Sequence, residues 1–157
     1  MATKPAANSE IDRIDRKIIR ELRVDGRLTV TELARRVGLS KTPCQLRLKR
    51  LTENGFIRGF RAQVDFRKLG EGHVAFAEVK LEDTREKALA AFGAAVSRIE
   101  EVEECHMIAG NFDFLLKVRT SDIGGYREVL GEKISSLPHV ASTSSFVVME
   151  TIVDGAN

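Results

Sequence analysis

Apolar residues recur with a helical period through the first third of this chain. Ile11, Ile14, Ile18, Ile19 and Leu22 fall at i, i+3, i+7, i+8 and i+11, the stripe of an amphipathic helix predicted over residues 10–25. Asp12 and Asp15 stand near its start, where the helix dipole favours anions, and Asp25-Gly26 stops it. A second helix is expected from Thr29 or Val30 to Gly38, with Leu33, Ala34 and Val37 facing inward. Ser40 is a fitting N-cap for a third. Pro43 falls in its first turn, where a missing N–H costs nothing, and Cys44, Leu48 and Leu51 form its buried stripe up to Asn54-Gly55. Two short helices about the turn Gly38-Leu39-Ser40 have the layout of a helix-turn-helix, residues 31–51, whose second helix enters the DNA major groove. Residues 56–64 (FIRGFRAQV) read as a strand, one arm of a small wing, and the glycine-punctuated stretch 66–72 as a hinge.

Beyond the hinge the period changes. Residues 73–81 alternate as a strand, 85–99 read as a helix with Ala88, Ala91, Phe92, Ala95 and Ile99 inward, and 102–108 as a strand. A turn over 109–113 leads to a strand over 114–118 and a helix over 123–137, with Tyr126, Leu130, Ile134 and Leu137 inward. Pro138 ends that helix before a last strand over 142–153. The order βαββαβ predicts a ferredoxin-like antiparallel sheet with both helices on one face. The fold class is therefore α+β: residues 1–9 a flexible tail, 10–65 a winged helix-turn-helix domain, and 73–153 a ferredoxin-like domain. Alanines, serines and short apolar side chains on the bare sheet face imply that another sheet covers it, which predicts a homodimer.

Charge sharpens the division. Residues 1–72 hold 17 Lys and Arg against nine Asp and Glu, a net +8, whereas residues 73–157 hold eight against 14, a net −6. A basic half suits phosphates and an acidic half avoids them, so the modules have different partners. At 43% hydrophobic and 31% charged the chain reads as globular, and no apolar run approaches a membrane span. Cys44 and Cys105 lie far apart with no CxxC, so neither a disulfide nor a zinc site is expected. That usage, with no export signal, suits the reducing cytoplasm.

The candidate chemistry gathers on the third helix. Lys41, Thr42, Gln45, Leu46 and Lys49 should face away from its core stripe. Thr42 and Gln45 are the base-reading candidates: a glutamine grips adenine N6 and N7 in bidentate fashion, and Leu46 can meet a thymine methyl. Lys41, Arg47, Lys49 and Arg50 are candidates for phosphate contacts, which set register without reading sequence, and Ser40 belongs to the same surface. Arg27, Arg35, Arg36, Arg58 and Arg61 form a second tier, as surface charge or phosphate contact. A solvated cationic helix face is the plainer alternative for any one of these residues. Cys44 on its buried stripe reads as a small hydrophobe, and acids beside Cys105 should raise its thiol pKa. His73, His106 and His139 have no ligand spacing, and no nucleophile or phosphate-loop motif appears, so an enzyme, a metal and a cofactor are not expected. Gly110-Asn111-Phe112-Asp113, a turn between two strands, could offer backbone groups to a small zwitterion; a tight hairpin is the alternative.

With these residues in view, the chain resembles the leucine-responsive/asparagine-synthetase-regulator (Lrp/AsnC) family of bacterial and archaeal transcription regulators. The segments IDRIDRKII, TVTELARRVGLSKTPCQLRLKRL, NGFIRGF and AGNFDFLLKV carry the resemblance, which runs from Ile11 to Val153. It implies a winged DNA-binding domain, an amino-acid-sensing domain, and homodimers that assemble into tetramers or octamers. It also implies an effector pocket between neighbouring sensing domains, formed by Met107, Gly110, Asn111, Phe112 and Asp113. Thr120 and Ser121, with Ser142, Thr143 and Ser144 of a neighbour, are further contributors. Phe112 stands where many relatives have tyrosine, which removes a phenol hydrogen bond. KTPCQLRLKRL and GFIRGF resemble the subgroup of global leucine-type and proline-catabolism regulators. The expected function is a sequence-specific DNA-binding regulator of amino-acid metabolism that responds to a small amino acid such as leucine or proline. An effector-independent DNA-compacting protein is the alternative.

Overall fold

The computed structural model describes residues 11–153, which divide into two compact units, one running to Gln63 and the other Val64–Val153. The tail expected over 1–9 lies outside the described residues. In the first unit α1 spans Arg13–Val24, α2 Val30–Val37 and α3 Lys41–Glu53. A capping box starts α1: Asp15 N–H donates to Asp12 Oδ1 at 2.8 Å and Asp12 N–H to Asp15 Oδ2 at 3.0 Å. Thr29 caps α2 by accepting from Glu32 N–H at 3.2 Å. Gly38 ends α2 at φ 79°, a left-handed conformation that lets Leu39 N–H return to Ala34 O at 2.9 Å. The three helices bury Ile18, Leu22, Leu33, Ala34, Val37, Cys44 and Leu51 in one core. Each large side chain there contributes roughly 1.5–3 kcal/mol by leaving water.

The strand expected over 56–64 does not form. Ile57 N–H donates to Leu51 O at 3.1 Å and ties the segment back to α3, and Gly59 at φ 151° takes the backbone out of the strand region. The Phe60 ring then packs where a side chain on Gly26 would stand, 3.2 Å from that position.

In the second unit, the sheet comprises β1 (His73–Leu81), β2 (Val102–Met107), β3 (Phe114–Thr120) and β4 (Val140–Val147), in the order β2-β3-β1-β4 with every pairing antiparallel. Helix α4 (Glu86–Val96) and helix α5 (Ile123–Glu128), which continues as a π-helical turn over Val129–Ile134, supply the helical half of the core. The π turn changes which residues point inward. Ser135 N–H reaches five residues back to Leu130 O at 2.8 Å, so Tyr126, Val129 and Ile134 are buried and Leu130 and Leu137 only half-buried. Helix α4 stops at Ser97, three turns long, with Ala88, Phe92 and Val96 buried; Ala91, Ala95 and Ile99 lie at the margin.

Strand alternation assigns the faces. Ala75, Ala77 and Val79 pair with Val118, Leu116 and Phe114 and are wholly buried beneath the helices, where Phe92 stacks on Phe114 at 4.5 Å. The alanines therefore make room for the helices and do not pave the open face, as the sequence suggested. The open face carries Phe76, Glu78 and Lys80 on β1, Leu115 and Lys117 on β3, and Ser142, Ser144 and Phe146 on β4. The last strand is shorter than the expected 142–153 because its partner runs out: Val147 pairs with Ala75, and the final bond is Val148 N–H to Val74 O. Residues 66–72, read as a hinge, turn within the second unit. The Arg119 guanidinium lies over the Phe66 ring at 4.3 Å and donates to Glu71 O at 3.2 Å.

Candidate nucleic-acid interface and effector site

Helix α3 presents two faces of different chemistry. Ser40, at the N-cap, has extended backbone and makes no side-chain cap hydrogen bond. Ser40, Lys41, Thr42, Gln45, Leu46 and Lys49 are all exposed, and Leu46 leaves 62% of its surface in water. An uncovered leucine between two lysines is poorly explained by folding, because the core stripe of Cys44 and Leu51 points the other way. Lys49 meets Glu53 only loosely, at 3.7 Å, with both side chains more than half exposed. Such a pair exchanges readily for another anion.

Arg47 and Arg50 are placed differently from the sequence expectation. Arg47 Nη1 donates to Asp12 Oδ2 at 2.5 Å and to Asp15 Oδ1 at 2.9 Å, and Arg50 Nη2 pairs with Asp15 Oδ2. Asp15 is wholly buried. The Asp12 carboxyl is held below its ordinary pKa, first by Asp15 N–H and then by the Arg47 guanidinium. Two of the four expected phosphate cations thus brace α3 against the start of α1. The α1 dipole therefore accounts for only part of the placement of Asp12 and Asp15. The available signal was a pair of acids three residues apart matched by two arginines three residues apart.

The second tier divides similarly. Arg35 and Arg36 are bound to Glu32, and Arg36 also reaches Glu21 at 3.4 Å, so both brace α2. Arg27, Arg58 and Arg61 are exposed. Burial raises the Cys44 thiol pKa, and desolvation, rather than the neighbouring acids, raises that of Cys105.

The residues expected to hold an effector fall at two ends of the sheet. Met107, Gly110, Asn111, Phe112 and Asp113 form the β2–β3 hairpin, closed by Ile108 N–H to Asp113 O at 2.8 Å. Met107, Gly110 and Asn111 are exposed, with Phe112 and Asp113 half-buried. Asp113 does structural work as well: its Oδ2 accepts from Leu81 N–H at 2.7 Å and locks the end of β1 to the hairpin. Ser142, Thr143 and Ser144 lie at that same end, opposite Lys80, Val79 and Glu78. Thr120 and Ser121 do not. Strand β3 separates them from the hairpin by six residue steps, roughly 20 Å at ~3.3 Å each. They line a separate cleft of about 610 Å³ with Glu101, Arg119, Gly125 and Lys133. The Thr120 hydroxyl is committed there, donating to Asp122 O at 2.9 Å beside His73 Nδ1 at 3.1 Å. One copy of the chain therefore cannot bring both sets to one small ligand.

Comparison with known proteins gives this arrangement its context. Residues 11–58 match the winged helix-turn-helix DNA-binding model and residues 74–157 the Lrp/AsnC ligand binding domain. The chain belongs to the Lrp/AsnC family. It is 65% identical over 143 residues to the proline dehydrogenase transcriptional activator of Rhizobium radiobacter, covering 91% of this chain and 92% of that one. It is 43% identical to the leucine-responsive regulatory protein of Salmonella typhimurium, covering 96% and 92%. A Neisseria meningitidis transcriptional regulator, solved as a complex with L-methionine, superposes with a TM-score of 0.85 at 31% identity, over 92% of this chain and 94% of that one. As an Lrp/AsnC protein the chain is a transcription regulator that joins a DNA-binding domain to a ligand-binding domain. Among the described residues no helix is long and apolar enough to cross a membrane.

Proposed function

We propose that this Lrp/AsnC protein regulates proline catabolism in the cytoplasm, reading duplex DNA with the free face of α3 and sensing proline at the β2–β3 hairpin. The identity of 65% to a proline dehydrogenase activator supports the pathway. The observation that carries the DNA reading is the sorting of α3: Lys41, Thr42, Gln45, Leu46 and Lys49 are uncovered, while Arg47 and Arg50 are held by α1. Thr42 and Gln45 then read base edges, Leu46 meets a thymine methyl, and Lys41 and Lys49 hold phosphates. Asp113 supplies a carboxylate for the ammonium of the effector, and residues 110–112 supply backbone groups. Homodimers, assembled further into tetramers or octamers, place two copies of α3 on two half-sites and complete the pocket with Ser142–Ser144 of a neighbour.

A duplex enriched by the native chain from a random-sequence pool tests the roles on α3. Gln45→Ala should weaken the enriched duplex about five- to 150-fold, as expected for one bidentate base contact, and leave a scrambled duplex nearly unaffected. Lys49→Ala should weaken both alike and flatten the dependence of log affinity on log salt by about 0.9 for each α3 bound. Indistinguishable behaviour of the two variants would remove the division between reading and holding.

A further inference from the structure

The Asp12 and Asp15 carboxylates and the Arg47 and Arg50 guanidinium groups form a charged cluster that the reading of α3 leaves without a DNA contact. Asp15 is the centre. It is 0% exposed, and it accepts from Arg47, Arg50 and the backbone of Asp12. Stability alone does not call for such a cluster, since well-packed apolar residues commonly replace a buried ion pair without loss. The arginines offer something that apolar residues do not. They sit three positions apart on α3, and their side chains remain 27% and 45% exposed. Without a carboxylate to hold them, they are two long cations beside a DNA-binding surface, ready for any phosphate.

We propose that Asp15 is a specificity-determining positioning residue: it fixes the rotation of α3 about its axis and withholds Arg47 and Arg50 from the phosphates of unrelated DNA. This rests on the proposal above that the free face of α3 enters the groove. Four cations lie on α3, and Asp15 with Asp12 neutralises two of them. Lys41 and Lys49 remain to flank Thr42, Gln45 and Leu46. Phosphate contacts supply nearly all non-specific affinity, so removing two of them per helix lowers binding to every wrong sequence while leaving base contacts in place.

The full chain is titrated by fluorescence anisotropy, across a series of salt concentrations, against the enriched duplex and a scrambled duplex of equal length. Asp15→Asn keeps the shape and removes the charge. It should bind the scrambled duplex more tightly, steepen its salt slope by up to about 1.8 per α3, and cut the ratio of enriched to scrambled affinity about tenfold. The triple variant Asp15→Asn/Arg47→Gln/Arg50→Gln should return the slope to the native value, an outcome that a general loosening of the fold does not produce. Where circular dichroism shows Asp15→Asn unfolded, Asp12→Asn serves instead: it removes one of the two carboxylates on Arg47 and leaves the one at Asp15, so its slope should steepen by less than about 0.9 per α3. An unmoved slope in the folded variant overturns the proposal. So does a triple variant whose slope falls below native, which would mean that the arginines already touch phosphate. A native chain that does not separate the two duplexes removes the reading of α3 itself, a result distinct from native discrimination with an unmoved Asp15→Asn slope.

Discussion

Glu32 gathers two arginines at one point on α2. Its carboxylate accepts from Arg35 at 2.9 and 2.7 Å and from Arg36 at 2.9 Å. The Arg35 guanidinium, then that of Arg36, pulls its pKa from the ordinary 4.5 down to about 2. Because the folded value lies below the unfolded one, the unfolded chain takes up protons first on acidification. The stabilisation is complete above pH 4.5 and disappears as pH falls through about 2. Replacement by Glu32→Gln should lower the melting temperature slightly near neutrality, since the network is open to solvent, and the gap to native should close as pH drops through that window. Melts followed by circular dichroism at several pH values check this; a gap of constant size at every pH would exclude the charge as its source. Part of α3 was legible in the sequence and part was not. The uncovered set from Ser40 to Lys49 followed from one helical period, because Cys44, Leu48 and Leu51 fix the inward face. The fate of Arg47 and Arg50 did not, since it depends on how closely α1 crosses α3, and spacing along one helix carries no information about that.

At the level of elements, the β2–β3 hairpin combines a structural lock with the proposed effector site. Asp113 Oδ2 holds Leu81 N–H, so a simple truncation confuses two roles. Asp113→Asn retains an oxygen that can accept from Leu81 N–H and removes only the charge. Its melting temperature should stay near native while the upward shift given by L-proline disappears, because a neutral amide gives an ammonium no ion pair. Asp113→Ala should lose that shift too, and about 1–2 kcal/mol of stability for the hydrogen bond left unmade at Leu81. Persistence of the native ligand shift in Asp113→Asn, by thermal melt or calorimetry, would clear the carboxylate of any role in binding. Element order and type were legible throughout this unit, because period-two and helical apolar patterns alternate cleanly between residues 73 and 147. Two features of this unit were not, and neither was one segment of the first. The π turn resets the inward face after Tyr126 through a backbone bond that leaves no mark on apolar spacing. The alanines of β1 could be given to either face until the register with β3 was known. Residues 56–64 have strand-like composition, yet a strand exists only with a partner, and Gly59 and Ile57 turn the backbone to other contacts.

At the scale of the whole molecule, the open sheet face bears on the assembly. Phe146, 53% exposed, stands beside Phe76 across the β1–β4 ladder, with Leu115 further along on β3. Lys117, on the same face, is neutralised by Glu103 and Glu104 at 3.3 and 3.2 Å. An apolar patch of Phe76, Phe146 and Leu115 beside a neutralised lysine fits a second copy of the same face, related by a two-fold axis, better than it fits water. If that surface pairs two chains, Phe146→Asp places two carboxylates opposite each other at the centre of the interface. Sedimentation should then show a native dimer or larger assembly and a monomeric variant with unchanged circular dichroism. DNA binding should report the same event independently. In a dimer the second α3 is delivered to its half-site at a local concentration in the millimolar range, so separating the copies should weaken the enriched duplex about a hundredfold or more. The salt slope should fall by about half, since one copy contacts half the phosphates, while an isolated half-site should bind the variant and the native chain with equal intrinsic affinity. A Phe146→Asp protein that keeps its native sedimentation would place the contact between copies on another surface, and the enriched duplex would then bind the variant as tightly as the native chain.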